Sequence, residues 1–242
     1  MITIKVFENY DELSAQAAEM FKEVLNTTEN PVLGLATGSS PEGLYKALVE
    51  MHKNKELDFS NVSTVNLDEY VGLSGDHDQS YRYFMNTHLF DHVNIDKAKT
   101  FVPNGLAQDL EQEGKDYDQR IKDLGGVDLQ VLGIGSNGHI GFNEPAEKLV
   151  LGTHVEDLTE STIEANSRFF ETRDDVPKRA ISMGLGTILD AKKIILVASG
   201  KSKAEAIASL VDEYITTQVP ATLLKLHPDV TVLVDKEAAS LL

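Results

Sequence analysis

Short apolar runs, each ending in a Gly-rich or acidic loop, recur along this chain and limit what it can fold into. The clearest are V-L-G-L-A-T-G-S-S-P (32–41), T-V-N-L-D-E-Y (64–70), V-L-G-I-G-S-N-G-H-I-G-F-N-E-P (131–145) and I-I-L-V-A-S-G-K-S-K (194–203). Continuous apolar runs of this length suit strands covered on both faces. Strands that alternate with helical stretches build a parallel sheet, whose ligands bind at the carboxyl ends of the strands. The four loops are therefore expected at one mouth.

The remaining segments agree with that arrangement. M-I-T-I-K-V-F-E-N alternates like a first strand, and Tyr10 to Leu25 carries Leu13, Ala17, Met20, Phe21 and Val24 at helical spacing. Strands are predicted over Val32–Thr37, Val62–Leu67, Leu129–Ile134, Lys193–Ala198 and Val230–Val234. Helices are predicted after Pro41, over Tyr81–Phe90, up to a Gly125-Gly126 stop, over 159–170, up to Leu189, and over Ser202–Tyr214. The expected fold class is α/β: a doubly wound, mostly parallel sheet with helices on both faces, a Rossmann-like three-layer sandwich. No repeat, low-complexity tract or linker divides the chain, so residues 1–242 are expected to form a single domain.

A formal charge of -17 argues against broad contact with nucleic acid, which needs a basic footprint. It leaves room for a small anion held by a few cations and backbone amides. The sequence has no cysteine, and no apolar run approaches the roughly 18–20 residues needed to span a membrane. Neither nucleic acid nor membrane is an expected partner, and residence in the cytoplasm is expected.

T-G-S-S-P (37–41) reads as a phosphate cradle at a helix start or as an ordinary strand–turn–helix cap. Asp68 stands where a carboxylate removes an activated proton, caps a helix or binds a metal, while Glu69 reads as more structural. G-x-G-x-x-G occurs at Gly133, Gly135 and Gly138, but the residues that follow do not form an immediate amphipathic helix, which argues against a nicotinamide site. Asn137, His139 and Glu144 form the more informative group. A histidine between hydrogen-bonding partners carries protons at neutral pH; a satisfied structural histidine or a metal ligand are the alternatives. Arg168 and Lys203 read as phosphate contacts or as solvated charges, with Lys201 competing for the role of Lys203.

At these residues the chain closely resembles the glucosamine-6-phosphate deaminase family, in particular its short non-allosteric bacterial members. L-G-L-A-T-G-S-S-P-E-G, V-N-L-D-E-Y-V-G-L, G-I-G-S-N-G-H-I-G-F-N-E-P and A-N-S-R-F-F carry the resemblance. It implies conversion of D-glucosamine 6-phosphate and water to D-fructose 6-phosphate and ammonia. It implies that Asp68 moves the proton of carbon 2 and that His139 opens the pyranose ring, assisted by Glu144 and Asn137. It implies that Gly38, Ser39, Arg168 and Lys203 bind the phosphate, with Ser40 as an additional donor. No metal, redox or pyridoxal cofactor is implied, because the sugar's own carbonyl stabilises the developing charge.

Two departures from the family pattern qualify these expectations. Asn137 stands where the family often has Asp, so it orients His139 without sharing a negative charge. His154 and Glu156 stand where allosteric members have cations, and those members carry a longer C-terminal segment than a chain ending at Leu242. Little activation by an acetylated sugar phosphate is expected, together with a monomer or low-order homo-oligomer. A 6-phosphogluconolactonase-like hydrolase and a non-catalytic sugar-phosphate-binding protein are the alternative functions.

Overall fold

The computed structural model describes residues 2–242. In chain order its elements are β1 (Ile2–Phe7), α1 (Tyr10–Thr27), β2 (Val32–Leu35), α2 (Glu42–Lys53), β3 (Ser63–Asn66), β4 (Asp68–Tyr70), α3 (Tyr81–His88), β5 (Thr100–Phe101), α4 (Leu110–Asp123) and β6 (Leu129–Leu132). There follow β7 (His154–Asp157), α5 (Glu160–Asn166), β8 (Arg179–Ser182), α6 (Leu185–Leu189), β9 (Ile194–Ala198), α7 (Ala204–Ala208) and β10 (Val230–Asp235).

Seven strands form one sheet in the order β1-β10-β9-β6-β2-β3-β5, with every pair parallel. Every residue of β2, β6, β9 and β10 is buried, as their largely apolar sequences require. Helices cover both faces, as expected for the α/β class. Leu13, Phe21, Leu44, Leu48, Tyr117 and Ile121 belong to the same core as the strand residues Leu33, Leu35, Val131, Leu196 and Val232. Each such side chain contributes about 1.5–3 kcal/mol by leaving water. Asn9, Ser80 and Asp109 start α1, α3 and α4 by accepting from the backbone amides of Glu12, Tyr83 and Gln112.

Strand order fixes where the loops open. From β2 the sheet grows through β3 and β5 to one side; from β6 it grows through β9 and β10 to the other. The loops after β2 and β6 therefore diverge at a topological switch point, leaving a crevice at the carboxyl ends.

Two features depart from the sequence expectation. Asp68 to Tyr70 leaves the main sheet and joins a small one, β4-β8-β7, in which both pairs are antiparallel. Its core gathers Tyr70, Phe142, Leu158, Ile163, Val176 and Ala180, which are scattered in sequence and so produce no apolar run. The helix expected over Ser202–Tyr214 is shorter: a tight turn at Lys201–Lys203 leads into α7, which ends at Ala208. Val211, Tyr214 and Ile215 are exposed and offer no buried face. The Lys225 ammonium instead takes the carbonyls of Ser209, Asp212 and Tyr214 at 2.6–2.8 Å.

The small sheet is fitted closely to the main body at Gly105, where a Cβ would lie 2.0 Å from the Tyr70 carbonyl oxygen. Neither backbone has a flexible side chain to yield there. Gly105→Ala is expected to lower the unfolding free energy by about 1–3 kcal/mol, read from urea denaturation. An unchanged midpoint and slope would contradict this packing.

Candidate active site

The crevice at the switch point is a cleft of about 760 Å³ lined by residues from all four loops, a volume ordinary for a small-molecule site. Gly38, Ser39 and Ser40 line it after β2, Asp68 after β3, Asn137 and His139 after β6, and Lys203 after β9. Arg168, from the turn that follows α5, lines the same cleft. Lys201 is exposed and is not among the lining residues.

Gly38 has φ +79°, a conformation that disfavours a side chain, and begins the turn into α2. Lys203 faces it from the opposite half of the sheet, and its pKa is lowered first by burial and then by the positive charge of Arg168. The Arg168 guanidinium lies 4.6 Å from the centroid of the Phe169 ring. Two cations sharing one pocket raise each other's energy until an anion arrives. Asp235 fixes the Lys203 turn from behind, accepting from Ser199 Oγ at 2.5 Å and from the Gly200 amide at 3.0 Å.

The loop after β6 is shaped around His139. The Gly135 amide donates to the His139 carbonyl at 2.9 Å, and the His139 amide donates to Asn137 Oδ1 at 3.1 Å. A Cβ on Gly135 would lie 2.5 Å from ring atoms of His139, so glycine is what leaves room for the imidazole. Asn137 Nδ2 donates to Glu144 Oε2 at 2.7 Å. His139 Nδ1 lies 3.3 Å from the same oxygen, an ion-pair contact without the alignment of a hydrogen bond. The other carboxylate oxygen, Oε1, accepts from the hydroxyls of Thr162 and Thr159 at the start of α5. Burial opposes ionisation of Glu144, but His139, Thr162 and Asn137 outweigh it and hold the pKa at about 2.

Asp68 sits in a contrasting environment. It is 6% exposed, and among the described residues no hydrogen bond or ion pair reaches its carboxylate. Burial, reinforced by the charge of Glu69, pushes its pKa up to about 8. A Cβ on Gly141 would lie 3.7 Å from Asp68 Oδ2, which places the carboxylate against the His139 loop. Glu69 points elsewhere and accepts the amides of Tyr70, Tyr81 and Arg82 at 2.8–3.0 Å, fixing the start of α3. Asp68 in the cleft is thus kept protonated to unusually high pH, while Glu144, buried against the cleft-lining His139, is kept ionised to unusually low pH, a contrast that separates acid and base roles.

Several contacts at the site have no motif in the sequence. Thr159 and Thr162 read only as a helix start, although T-x-x-T before an apolar position is an N-terminal capping pattern. Asn166 Nδ2 donates to Tyr70 Oη at 2.9 Å, tying the segment before Arg168 to the strand of Asp68. Among the described residues no group of three or more His, Cys, Asp or Glu is arranged to hold a metal ion, and no helix is long and apolar enough to cross a membrane. On β7, His154 Nδ1 donates to the Gly152 carbonyl at 2.9 Å and Nε2 lies 3.1 Å from Glu156 Oε2. Burial lowers the His154 pKa, but these two partners raise it further.

A family described as glucosamine-6-phosphate isomerases/6-phosphogluconolactonase matches residues 8–233. A glucosamine-6-phosphate deaminase of Clostridium beijerinckii is 60% identical over 235 residues, 97% of each chain. One of Halothermothrix orenii is 55% identical over 239 residues, 99% of each chain. A solved structure of a monomeric glucosamine-6-phosphate deaminase superposes with a TM-score of 0.97 at 48% identity, covering 99% of this chain and 100% of that one. The 6-phosphogluconolactonase of Leishmania guyanensis, at 22% identity and a TM-score of 0.76, shares the fold.

The raised pKa of Asp68 carries a stability consequence. The folded state keeps its proton up to about pH 8, while the unfolded chain releases it near 3.8. This group's stabilising contribution is therefore complete below 3.8 and is lost as pH rises through 8. Asp68→Asn is expected to unfold like the wild type near pH 3.8 and to be more stable than it at about pH 9. Parallel stability–pH curves for the two proteins would contradict the buried, unpaired environment.

Proposed function

Because the chain belongs to the glucosamine-6-phosphate isomerase/6-phosphogluconolactonase family, we propose that it converts D-glucosamine 6-phosphate and water to D-fructose 6-phosphate and ammonia. Residues 1–242 act in this reading as one cytoplasmic sugar-phosphate domain, monomeric or of low oligomeric order. The observation that carries it is the convergence of Asp68, His139 and the Arg168–Lys203 pair on one cleft, with Glu144 buried against His139.

Arg168, Lys203 and the amides and hydroxyls of Gly38, Ser39 and Ser40 hold the phosphate. Holding one end of the substrate converts the later steps into reactions of an oriented molecule. His139 takes the proton of the carbon 1 hydroxyl and returns one to the ring oxygen as that carbon–oxygen bond breaks, giving the open-chain aldehyde. Glu144 remains ionised and steadies the imidazolium, and Asn137 fixes the loop. The aldehyde acidifies the hydrogen on carbon 2, which the ionised form of Asp68 removes. The electron pair passes to the carbonyl oxygen, which takes a proton from water, and an enolamine forms. Protonation at carbon 1 gives the 2-imine, and water displaces ammonia from carbon 2. The sugar's own carbonyl supplies the electron sink.

The His154–Glu156 pair occupies the stretch where a second sugar phosphate would need unpaired cations. Hyperbolic kinetics unaffected by N-acetylglucosamine 6-phosphate are the expected result, and sigmoidal kinetics that it abolishes would overturn this.

The deciding measurement is release of ammonia and fructose 6-phosphate by the purified protein, run beside hydrolysis of 6-phosphogluconolactone. Asp68→Asn is expected to lower turnover about 10²–10⁴-fold and to suppress solvent-proton exchange at carbon 2. His139→Gln should impair the closed-ring sugar more than an open-chain analogue. Lys203→Ala should raise KM about 10–100-fold, as loss of a charge-assisted contact does. Near-normal exchange at carbon 2 in Asp68→Asn would remove that residue from its role.

A further inference from the structure

We infer that Tyr10 is a positioning residue for the phosphate cradle, holding the turn at 37–41 in the shape that receives an anion; this deepens the reading above and rests on it. Tyr10 begins α1, remote in sequence from the turn. Its hydroxyl nevertheless lies 2.8 Å from the Ser39 carbonyl oxygen and 3.0 Å from that of Ser40, and it accepts from the Gly43 amide at 2.8 Å. One phenolic proton serves the two carbonyls in turn, while a lone pair takes the amide.

These contacts bear on anion binding in three ways. Carbonyl oxygens repel a phosphate, and those of Ser39 and Ser40 are held on the phenol instead. In a planar trans peptide the C=O and N–H point in opposite directions, so fixing the Ser39 carbonyl aims the Ser40 N–H away from Tyr10. Gly38 has no side chain to brace the turn and nothing within 4 Å of where a Cβ would be, so support must come from outside. Tyr10 supplies it at the crest, while Tyr45 pins the base by donating to the Ala36 carbonyl at 2.6 Å. Gly43 makes room first for Ser14 and then for the phenol, since a Cβ there would lie 2.4 Å from Ser14 Oγ and 3.0 Å from Tyr10 Cε1. Tyr10 itself lines the cleft beside Ser39 and Ser40.

The test compares Tyr10→Phe with Asn9→Ala in the full chain. Asn9 caps α1 through the Glu12 amide at 3.0 Å, so its loss reports a general loosening of the helix start. Tyr10→Phe keeps the ring and its packing. It is expected to raise KM for glucosamine 6-phosphate about tenfold with kcat within about twofold. Protection against thermal unfolding by inorganic phosphate should then need about tenfold more phosphate. Asn9→Ala should lower the melting temperature and leave KM and phosphate protection unchanged. Wild-type KM and protection in Tyr10→Phe would overturn the proposal, as would equal effects of the two variants. A wild type that releases no fructose 6-phosphate sinks the reaction, while phosphate protection, which needs no turnover, still judges Tyr10. A wild type without that protection has no cradle to position and ends the proposal.

Discussion

Reversal of strand order between β2 and β6 is the constraint from which the site follows. A parallel sheet sends every loop from its carboxyl ends to the same edge, and adjacent loops normally crowd one another. Here the loop after β2 turns toward one half of the sheet and the loop after β6 toward the other. The gap between them is held open by backbone hydrogen bonding deep in the core. Groups contributed by both halves consequently face each other across a space that side chains alone do not have to maintain.

In and beside that space the protein treats two carboxyl groups, Asp68 and Glu144, in opposite ways. Both are buried, so desolvation acts on each in the same direction. Hydrogen bonding separates them. Glu144 receives two threonine hydroxyls and an asparagine amide and lies against the imidazole, whereas Asp68 receives nothing comparable and has Glu69 for a neighbour. Glu69 is better satisfied because the Tyr70 amide and two amides at the start of α3 donate to it, although burial still raises its pKa. The destabilised carboxylate is the one placed against the loop of His139, as expected where reactivity and stability conflict.

Most of the main sheet was legible because its central strands are largely apolar and closed by glycine or acidic residues, as burial on both faces demands, whereas the two-residue edge strand β5 leaves no such run. Asp68, His139 and Lys203 could be named because each directly follows such a run. The second sheet was not legible. β7 and β8 are short and partly exposed, and the residues that pack beneath them, such as Tyr70, Phe142 and Val176, come from segments far apart in sequence. The helix drawn too far past Ala208 shows the converse error: helical composition continues, but Lys225 captures carbonyls that a helix would use internally. Tyr10 and Thr162 were silent for a simpler reason. A tyrosine in a first turn and a threonine near a helix start are ordinary choices, and only their distant partners give them meaning.

The threonine hydroxyls that hold Glu144 belong to α5, and the chain leaving α5 carries Arg168. In the proposed reaction, recognition at the far end of the sugar and proton shuttling at its anomeric end would therefore share a mechanical link a few residues long. A truncated substrate without the anionic group would leave that link slack as well as leaving the cradle empty. On that reading, discrimination against neutral amino sugars would be built into the turnover step itself, and a high concentration of such a compound would not compensate for what it lacks.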